Sequence, residues 1–173
     1  ADLRAELQSR GKARLAAALE ENALRAPDDD VVFTMQPEPL GLGHAVLCAR
    51  DHVLPGPVAV ILPDDLILGA PGCLSEMTAA YRTAGVGHLV ATMEVDRDQT
   101  SKYGILDTSE TDGRLCRARG MVEKPAPEDA PSNLAIAGRY VFTADIFDCI
   151  EKTKAGKNDE IQLTDAMRLM AVS

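Results

Sequence analysis

Apolar residues open this chain at helical spacing. Leu3, Leu7, Leu15 and Leu19 recur in ADLRAELQSRGKARLAAALEENAL, which predicts helix on a 3.6-residue period. Gly11 divides that helix, and its Arg, Lys and Glu residues form a solvated face. Pro27 and Asp28 to Asp30 end it. Val31 to Met35 then reads as a short strand, Gln36 to Leu40 as a loop broken by prolines, and His44 to His52 as a helix after Gly41 and Gly43.

The next apolar run is continuous. Pro57 to Leu62 (PVAVIL) predicts a strand buried on both faces, stopped by Pro63-Asp64-Asp65. Cys73 to Ala84 predicts a helix and Gly87 to Val95 another buried strand. Strand, helix and strand in succession argue for an α/β domain with a largely parallel sheet. The pattern then changes. Tyr103 to Asp107, Leu115 to Val122 and Ala135 to Thr143 are strand candidates without long helices between them, so antiparallel or mixed pairing enters. Ala144 to Glu151 and Glu160 to Ala171 close the chain as helices, the second capped by Asn158 or Asp159. No internal repeat, low-complexity tract or flexible linker interrupts this order.

At 173 residues the chain is about one domain, large enough to bury a core. It has no apolar run of membrane-spanning length and no visible export signal. The net charge of −9 disfavours non-specific nucleic-acid binding, and three Phe, three Tyr and no Trp leave few platforms for stacking bases. Cys48, Cys73, Cys116 and Cys149 are widely spaced, without a CxxC pattern, and read as buried free thiols of a reducing cytoplasm. With three scattered histidines, a His/Cys metal centre is not expected. An acidic protein that handled phosphates would need placed Lys or Arg, backbone N–H groups or a divalent cation.

Three polar clusters fall where strands end, and open α/β sheets gather ligands outside such ends. In QPEPLGLGHA, the Gln36 amide can give a donor and an acceptor to a base edge. Gly41 would let a planar ring approach the backbone; equally, these glycines shape only a turn and a helix start. His44 reads as a packed or surface histidine. In the second cluster, Asp64 is the better placed of two adjacent acids to offer oxygen ligands to Mg²⁺, with Asp65 capping the following segment. A simple Asp-Asp turn fits as well. In the third, Glu123 and Lys124 end an apolar run. On a regular strand such neighbours point to opposite faces and do not pair; at its end, a polyol and a phosphate can use one each. An isolated EKP would be a solvated turn, but its company changes that balance.

In this order, QPEPLGLGHAVLCA, ILPDDLI, SKYGILD, MVEKPAPEDAPSNLAIAGRYVF and DEIQLTDAM resemble the bacterial UTP–glucose-1-phosphate uridylyltransferases (UDP-glucose pyrophosphorylases). The resemblance runs from about Leu7 to Ala171. GLGHA, LPDD, EKP with SNLAIAGRY, and EIQLTD in combination separate this group from thymidylyl- and adenylyltransferase relatives. The resemblance implies the sugar nucleotidyltransferase fold: a Rossmann-like mixed, mostly parallel central sheet flanked by helices, incomplete here. It assigns Gln36 and Gly41 to uracil and Asp64 to Mg²⁺. Gly104 would contact the sugar through its backbone, Glu123 would accept from glucose hydroxyls, and Lys124 would neutralise the sugar phosphate. Lys124 and Asp64 would be catalytic in this sense. Asn133 and Gly138 would lie near the sugar, and Glu160 and Asp165 would wall the site or serve as a helix cap and surface acids. The implied substrates are UTP and glucose 1-phosphate, the product UDP-glucose, in a homo-oligomer. A catalytically silent nucleotide-sugar-binding module and a thymidylyl- or cytidylyltransferase are the alternatives.

The family pattern also has parts this sequence does not contain. They are a first strand with a glycine-rich loop of the type AGLGTR, a PATK-like segment, and a later segment with another metal-binding Asp and a Lys. Residues 1–173 are therefore expected to form the central part of a single nucleotidyltransferase domain. The lost central strand would leave a slot or an open sheet edge, which swapping or dimerisation would fill.

Overall fold

The computed structural model describes residues 2–21, 23, 31–156 and 159–170. It divides into two compact units, 1–34 and 35–173. Among the described residues no helix is long and apolar enough to cross a membrane.

The first unit holds α1 (Leu3–Ser9) and α2 (Ala13–Glu21). The side chain of Asp2 accepts from the Arg4 N–H and caps α1. Gly11, at φ +71°, makes the break between the helices. An Arg4–Glu20 ion pair at 2.9 Å ties the two together. Leu3, Leu15 and Leu19 are exposed, so the helical period was legible while burial of its apolar stripe is not seen. The segment expected to end this helix, Pro27 to Asp30, lies outside the described residues. Val31 to Met35 forms no strand.

In the second unit the elements are α3 (Leu42–Leu47), β1 (Val58–Ile61), α4 (Cys73–Ala84), β2 (Leu89–Glu94), β3 (Gly104–Asp112), β4 (Leu115–Glu123), β5 (Leu134–Phe142), α5 (Ile146–Lys152) and α6 (Leu163–Met170). The helix expected over His44 to His52 is shorter and earlier: α3 stops at Leu47 and a 3₁₀ turn covers Arg50–His52. α4 occupies the segment the sequence indicates and ends at Gly85 in the left-handed conformation. Asp159 does not cap α6. It sits at φ +56°, and the Gln162 carbonyl receives the N–H groups of Asp165 and Ala166 at the helix start. Asn158 is outside the described residues.

The mixed α/β architecture agrees with the sequence, but the pairing is not mostly parallel. β1, β2 and β3 all pair antiparallel with β5, and β4 pairs antiparallel with β3. β1 and β2 do run parallel to each other, as a strand–helix–strand unit requires. The late strand β5 has entered between them, so neither hydrogen-bonds a parallel neighbour. β5 is accordingly the centre of the sheet and its most buried strand.

Around it lies the core: Leu106, Met121, Ile136, Tyr140, Phe142, Ile146, Phe147, Ile150, Leu163, Ala166, Met167 and Met170. Phe142, Ile105, Ile146 and Ile150 are fully buried, each contributing on the order of 2 kcal/mol. β1 is buried on one face only. Val58 and Val60 pack on this core, whereas Ala59 and Ile61 on the other face are exposed, Ile61 by 52%. Among the described strands β1 pairs with β5 alone and so forms an edge. Leu66 and Leu68, just beyond it, are also exposed. The four cysteines form no disulfide and are half-buried rather than buried.

Candidate functional site

One edge of β5 changes partner partway along its length. β1 pairs with it up to Ile61 opposite Arg139, and the Leu62 N–H then donates to the Gly138 carbonyl at 2.9 Å. Three residues earlier in β5, Ala135 is opposite Ile105 of β3. Between these points the chain after β1 leaves the sheet at Pro63-Asp64-Asp65 and β3 begins at Gly104. The switch places the end of one strand beside the start of another, with polar residues on both.

Asp65 is held there through its backbone, and the segment after it is not helical. Its backbone carbonyl accepts from Arg139 Nη2, and Arg139 Nη1 also donates to the carbonyls of Leu62, at 2.6 Å, and Gly138, at 3.0 Å. Gly138 adopts φ +58°, and a Cβ on it would lie 3.0 Å from Asp65 Oδ2 and 3.1 Å from Leu62 Cβ. A larger residue would push the acidic turn off the strand. Arg139 was missed in the sequence, although a charged residue inside LAIAGRYVF was a visible signal.

On the other side of the switch, Gly104 faces Glu123 across β3 and β4. A Cβ at Gly104 would meet Ile136 at 3.1 Å and Glu123 Oε2 at 3.2 Å. Contrary to the regular-strand expectation, Glu123 and Lys124 do approach each other, Nζ to Oε1 at 4.0 Å. The cause is local: Lys124 is at φ +46°, outside strand geometry, so the alternation of faces ends at Glu123. Both side chains are substantially exposed, leaving them open to a ligand. Left-handed backbone at a non-glycine residue is a recurrent mark of functional sites.

Electrostatics also join the two sides. The Tyr140 hydroxyl is pushed up to about 12, first by burial and then by the negative charges of Glu123, Asp65 and Asp64. The three carboxylates act on this one phenol from the two sides of the switch. Lys124 brings a cation beside one of these acids, Glu123. Among the described residues, no three His, Cys, Asp or Glu side chains gather as a metal-ligand cluster.

Gln36 and Gly41 lie on a different loop. Gln36 Nε2 donates to the Gly41 carbonyl at 3.0 Å and meets His44 Nδ1 at 3.1 Å. Gly41, at φ +94°, presses on the EIQ segment: a Cβ there would lie 2.8 Å from the Ile161 carbonyl oxygen and 2.9 Å from Glu160 Cβ. The Ile161 N–H donates to Leu40 O at 2.7 Å, and the Gly43 N–H donates to Ile161 O at 2.8 Å. Glu160 is thus a neighbour of the glycine loop. Asp165 is engaged with Arg168 at 3.8 Å. α6 connects this loop to the switch, since Thr164 Cγ2 lies 3.6 Å from the Cβ position of Gly104. The Thr164 hydroxyl is buried without a hydrogen-bond partner. Sequence reading passed over it within EIQLTD.

Asn133 stands at the β2 edge of β5, where its carbonyl accepts from the Val95 N–H at 3.0 Å. With Glu94, Val95, Asp96, Gln99 and Tyr103 it lines an open cavity of about 560 Å³. Tyr103 belongs to both regions, because its carbonyl accepts from the Lys124 N–H at 3.0 Å.

The partner change along β5 thus brings acidic and basic strand ends to one side of an α/β sheet. The chain belongs to the nucleotidyl transferase family, whose family model, Nucleotidyl transferase, matches residues 12–173. It is 49% identical over 137 residues to a UTP–glucose-1-phosphate uridylyltransferase of Pseudomonas aeruginosa, covering 78% of this chain and 49% of that protein. A solved UDP-glucose pyrophosphorylase complexed with UDP-glucose is 44% identical, with a TM-score of 0.75 over 79% of this chain and 52% of that one. A UTP-bound UGPase from Acinetobacter baumannii is 35% identical, with a TM-score of 0.76 over 99% and 59%. The chain spans about half the length of the curated relatives it matches.

Proposed function

We propose that this chain carries the nucleotide-sugar half of a uridylyltransferase that converts UTP and glucose 1-phosphate into UDP-glucose and pyrophosphate. The observation that carries this proposal is the partner change along β5, which sets the strand end bearing Asp64-Asp65 beside the start of β3 at Gly104, itself opposite Glu123 and the neighbouring Lys124. The names of the relatives supply the substrate class.

In this assignment Glu123 accepts from sugar hydroxyls and Lys124 neutralises the sugar phosphate. Gly104 offers backbone to the sugar, with Asn133 and Gly138 nearby, and Gln36 and Gly41 meet uracil. An oxygen of the sugar phosphate attacks the α-phosphorus of UTP. A new O–P bond forms, the bond to the β-phosphate oxygen breaks, and pyrophosphate departs with its electron pair. No general base is needed, because the attacking phosphate oxygen is already anionic. Alignment and charge neutralisation supply the rate.

Asp64, exposed just after β1, would offer its carboxylate to a divalent cation such as Mg²⁺, which takes one or two carboxylates and completes its shell with water and phosphate oxygens. When bound, the ion supplies neutralisation of phosphate charge. A homo-oligomer belongs to the same proposal, and so does a cytoplasmic setting, in keeping with four cysteines outside disulfides.

The test is calorimetric titration of the chain with UDP-glucose in Mg²⁺, beside turnover of UTP with glucose 1-phosphate. Binding is expected, with Lys124→Ala and Asp64→Ala each weakening it by about tenfold or more. Near-normal affinity in both variants would overturn the site. Binding without turnover would favour a silent nucleotide-sugar module. Assaying all four nucleoside triphosphates exposes a different base preference.

A further inference from the structure

Arg97 opens the 3₁₀ helix Arg97–Lys102 that carries the chain from β2 to β3. Its guanidinium reaches across to the loop that precedes β5. Nη2 donates to the Ala130 carbonyl at 2.6 Å, and Nη1 faces the Ser132 carbonyl at 3.5 Å and Asn133 Oδ1 at 3.4 Å. A single planar fork therefore spans three acceptors on four consecutive residues, a task its fixed geometry suits and a lysine ammonium cannot duplicate.

Both ends of this bridge are themselves fixed. On the 3₁₀ side, Thr100 is completely buried, and its Oγ1 donates to the Arg97 carbonyl at 2.8 Å. On the loop side, Ser132 Oγ donates to Leu106 O at 2.6 Å and accepts from the Leu134 N–H at 3.0 Å. The Asn133 carbonyl accepts from the Val95 N–H. These bonds fix the backbone of Ser132 and Asn133. The guanidinium alone engages the Asn133 side chain among the described contacts.

With Oδ1 turned to a cation, the Asn133 amide has its NH₂ group to offer a ligand, and that group is a donor only. Asn133 lines the cavity shared with Tyr103 and Gln99. Oxygen acceptors on a sugar or its phosphate match such a donor.

We infer that Arg97 is a positioning residue for the sugar side of the site. It holds residues 130–133 against the β2–β3 connection and sets the Asn133 amide as a donor. This inference rests on the nucleotide-sugar assignment above and adds a residue to it. In this role Arg97 acts through Asn133.

The test compares wild type, Arg97→Ala and Arg97→Lys by titration with UDP-glucose and, separately, with UDP. Arg97→Ala is expected to weaken UDP-glucose by about three- to tenfold, the loss of one or two hydrogen bonds, and to leave UDP unchanged. Arg97→Lys should restore less than half of the lost affinity. An equal loss for both ligands, or no loss for UDP-glucose, would overturn the inference. A second measurement needs no ligand: the side-chain amide of Asn133 by NMR. Its ¹⁵N relaxation should report an ordered group in wild type and a mobile one in Arg97→Ala. Equal order in both would also overturn the inference. If the wild-type chain bound neither ligand, the nucleotide-sugar assignment would fall on its own, while the NMR comparison would still judge the Arg97 bridge.

Discussion

The backbone N–H of Lys124 donates to the carbonyl of Tyr103 at 3.0 Å. That bond fastens the residue after β4 to the residue before β3, across the first pair of their ladder, Gly104 with Glu123. It holds Lys124 in left-handed backbone at φ +46°. The acid and the cation of one dipeptide are thereby presented together instead of on opposite faces.

Replacing Lys124 with glycine separates backbone strain from ligand binding. A non-glycine residue in this conformation costs on the order of 1 kcal/mol or more, which glycine avoids at some expense in chain entropy. Lys124→Gly is expected to raise stability by about 1 kcal/mol or leave it unchanged, while UDP-glucose binding falls as for Lys124→Ala. Urea denaturation measures the first quantity. A clear loss of stability would show that the lysine side chain, rather than the turn, holds the strand ends together.

Gly41 and Gly11 make a controlled pair. Both have positive φ, but a Cβ at Gly41 would strike Ile161 and Glu160, whereas one at Gly11 meets nothing within 4 Å. Gly41→Ala should destabilise by about 2–3 kcal/mol through overpacking and strain combined, and Gly11→Ala by about 1 kcal/mol. Equal melting temperatures for the two variants would contradict the tight seat of the glycine loop on the EIQ segment.

Thr164 carries a buried hydroxyl without a partner beside Gly104. Thr164→Val keeps the shape and removes the unsatisfied group, so stability should stay within about 1 kcal/mol of wild type or rise. Thr164→Ser keeps the hydroxyl, deletes the methyl near Gly104, and should lose about 1 kcal/mol. Thermal denaturation ranks the two. The reverse order would mean that the hydroxyl has a structural bond.

His88 gives stability a pH dependence. Its pKa is lowered, first by burial, against the opposing charge of Asp145. Its Nδ1 accepts from the Thr143 N–H at 3.3 Å and its ring packs on Phe142, both of which suit the neutral imidazole. The unfolded chain therefore takes up this proton before the folded one as pH falls. The contribution of His88 is fully present above its unfolded value, 6.5, and is lost below it. Urea midpoints at about pH 7.5 and about pH 5.5 should diverge more in wild type than in His88→Gln, which can still accept from Thr143 and does not titrate. An identical pH response in both proteins would assign the effect to other groups.

Much of the fold was legible because short-range periodicity sets local structure. Cys73 to Ala84 has a helical pattern ended by glycine, and it is a helix with those limits. The strands around Leu115 and Ala135 lie within a residue or two of the segments indicated. Val31 to Met35 has strand-like residues but no strand, since side-chain type does not supply a pairing partner. The burial of Pro57 to Leu62 was overread for a related reason: an apolar run does not say whether both faces are covered. Sheet direction failed at β5, which arrives late in the chain and enters between two strands that would otherwise have been adjacent.

By itself the sequence determined the chemical vocabulary: the order of GLGHA, LPDD, EKP and EIQLTD, the acidic charge, and the family resemblance they carry. Tertiary structure alone decided how those words meet. One edge of β5 serves β1 and then β3, and Gly138 gives Asp65 room there. Lys124 is turned toward Glu123, and Arg97 reaches residues more than thirty positions away. These relations depend on strand register and long-range hydrogen bonds, which are set by the balance of all contacts at once. No local pattern of residues encodes them.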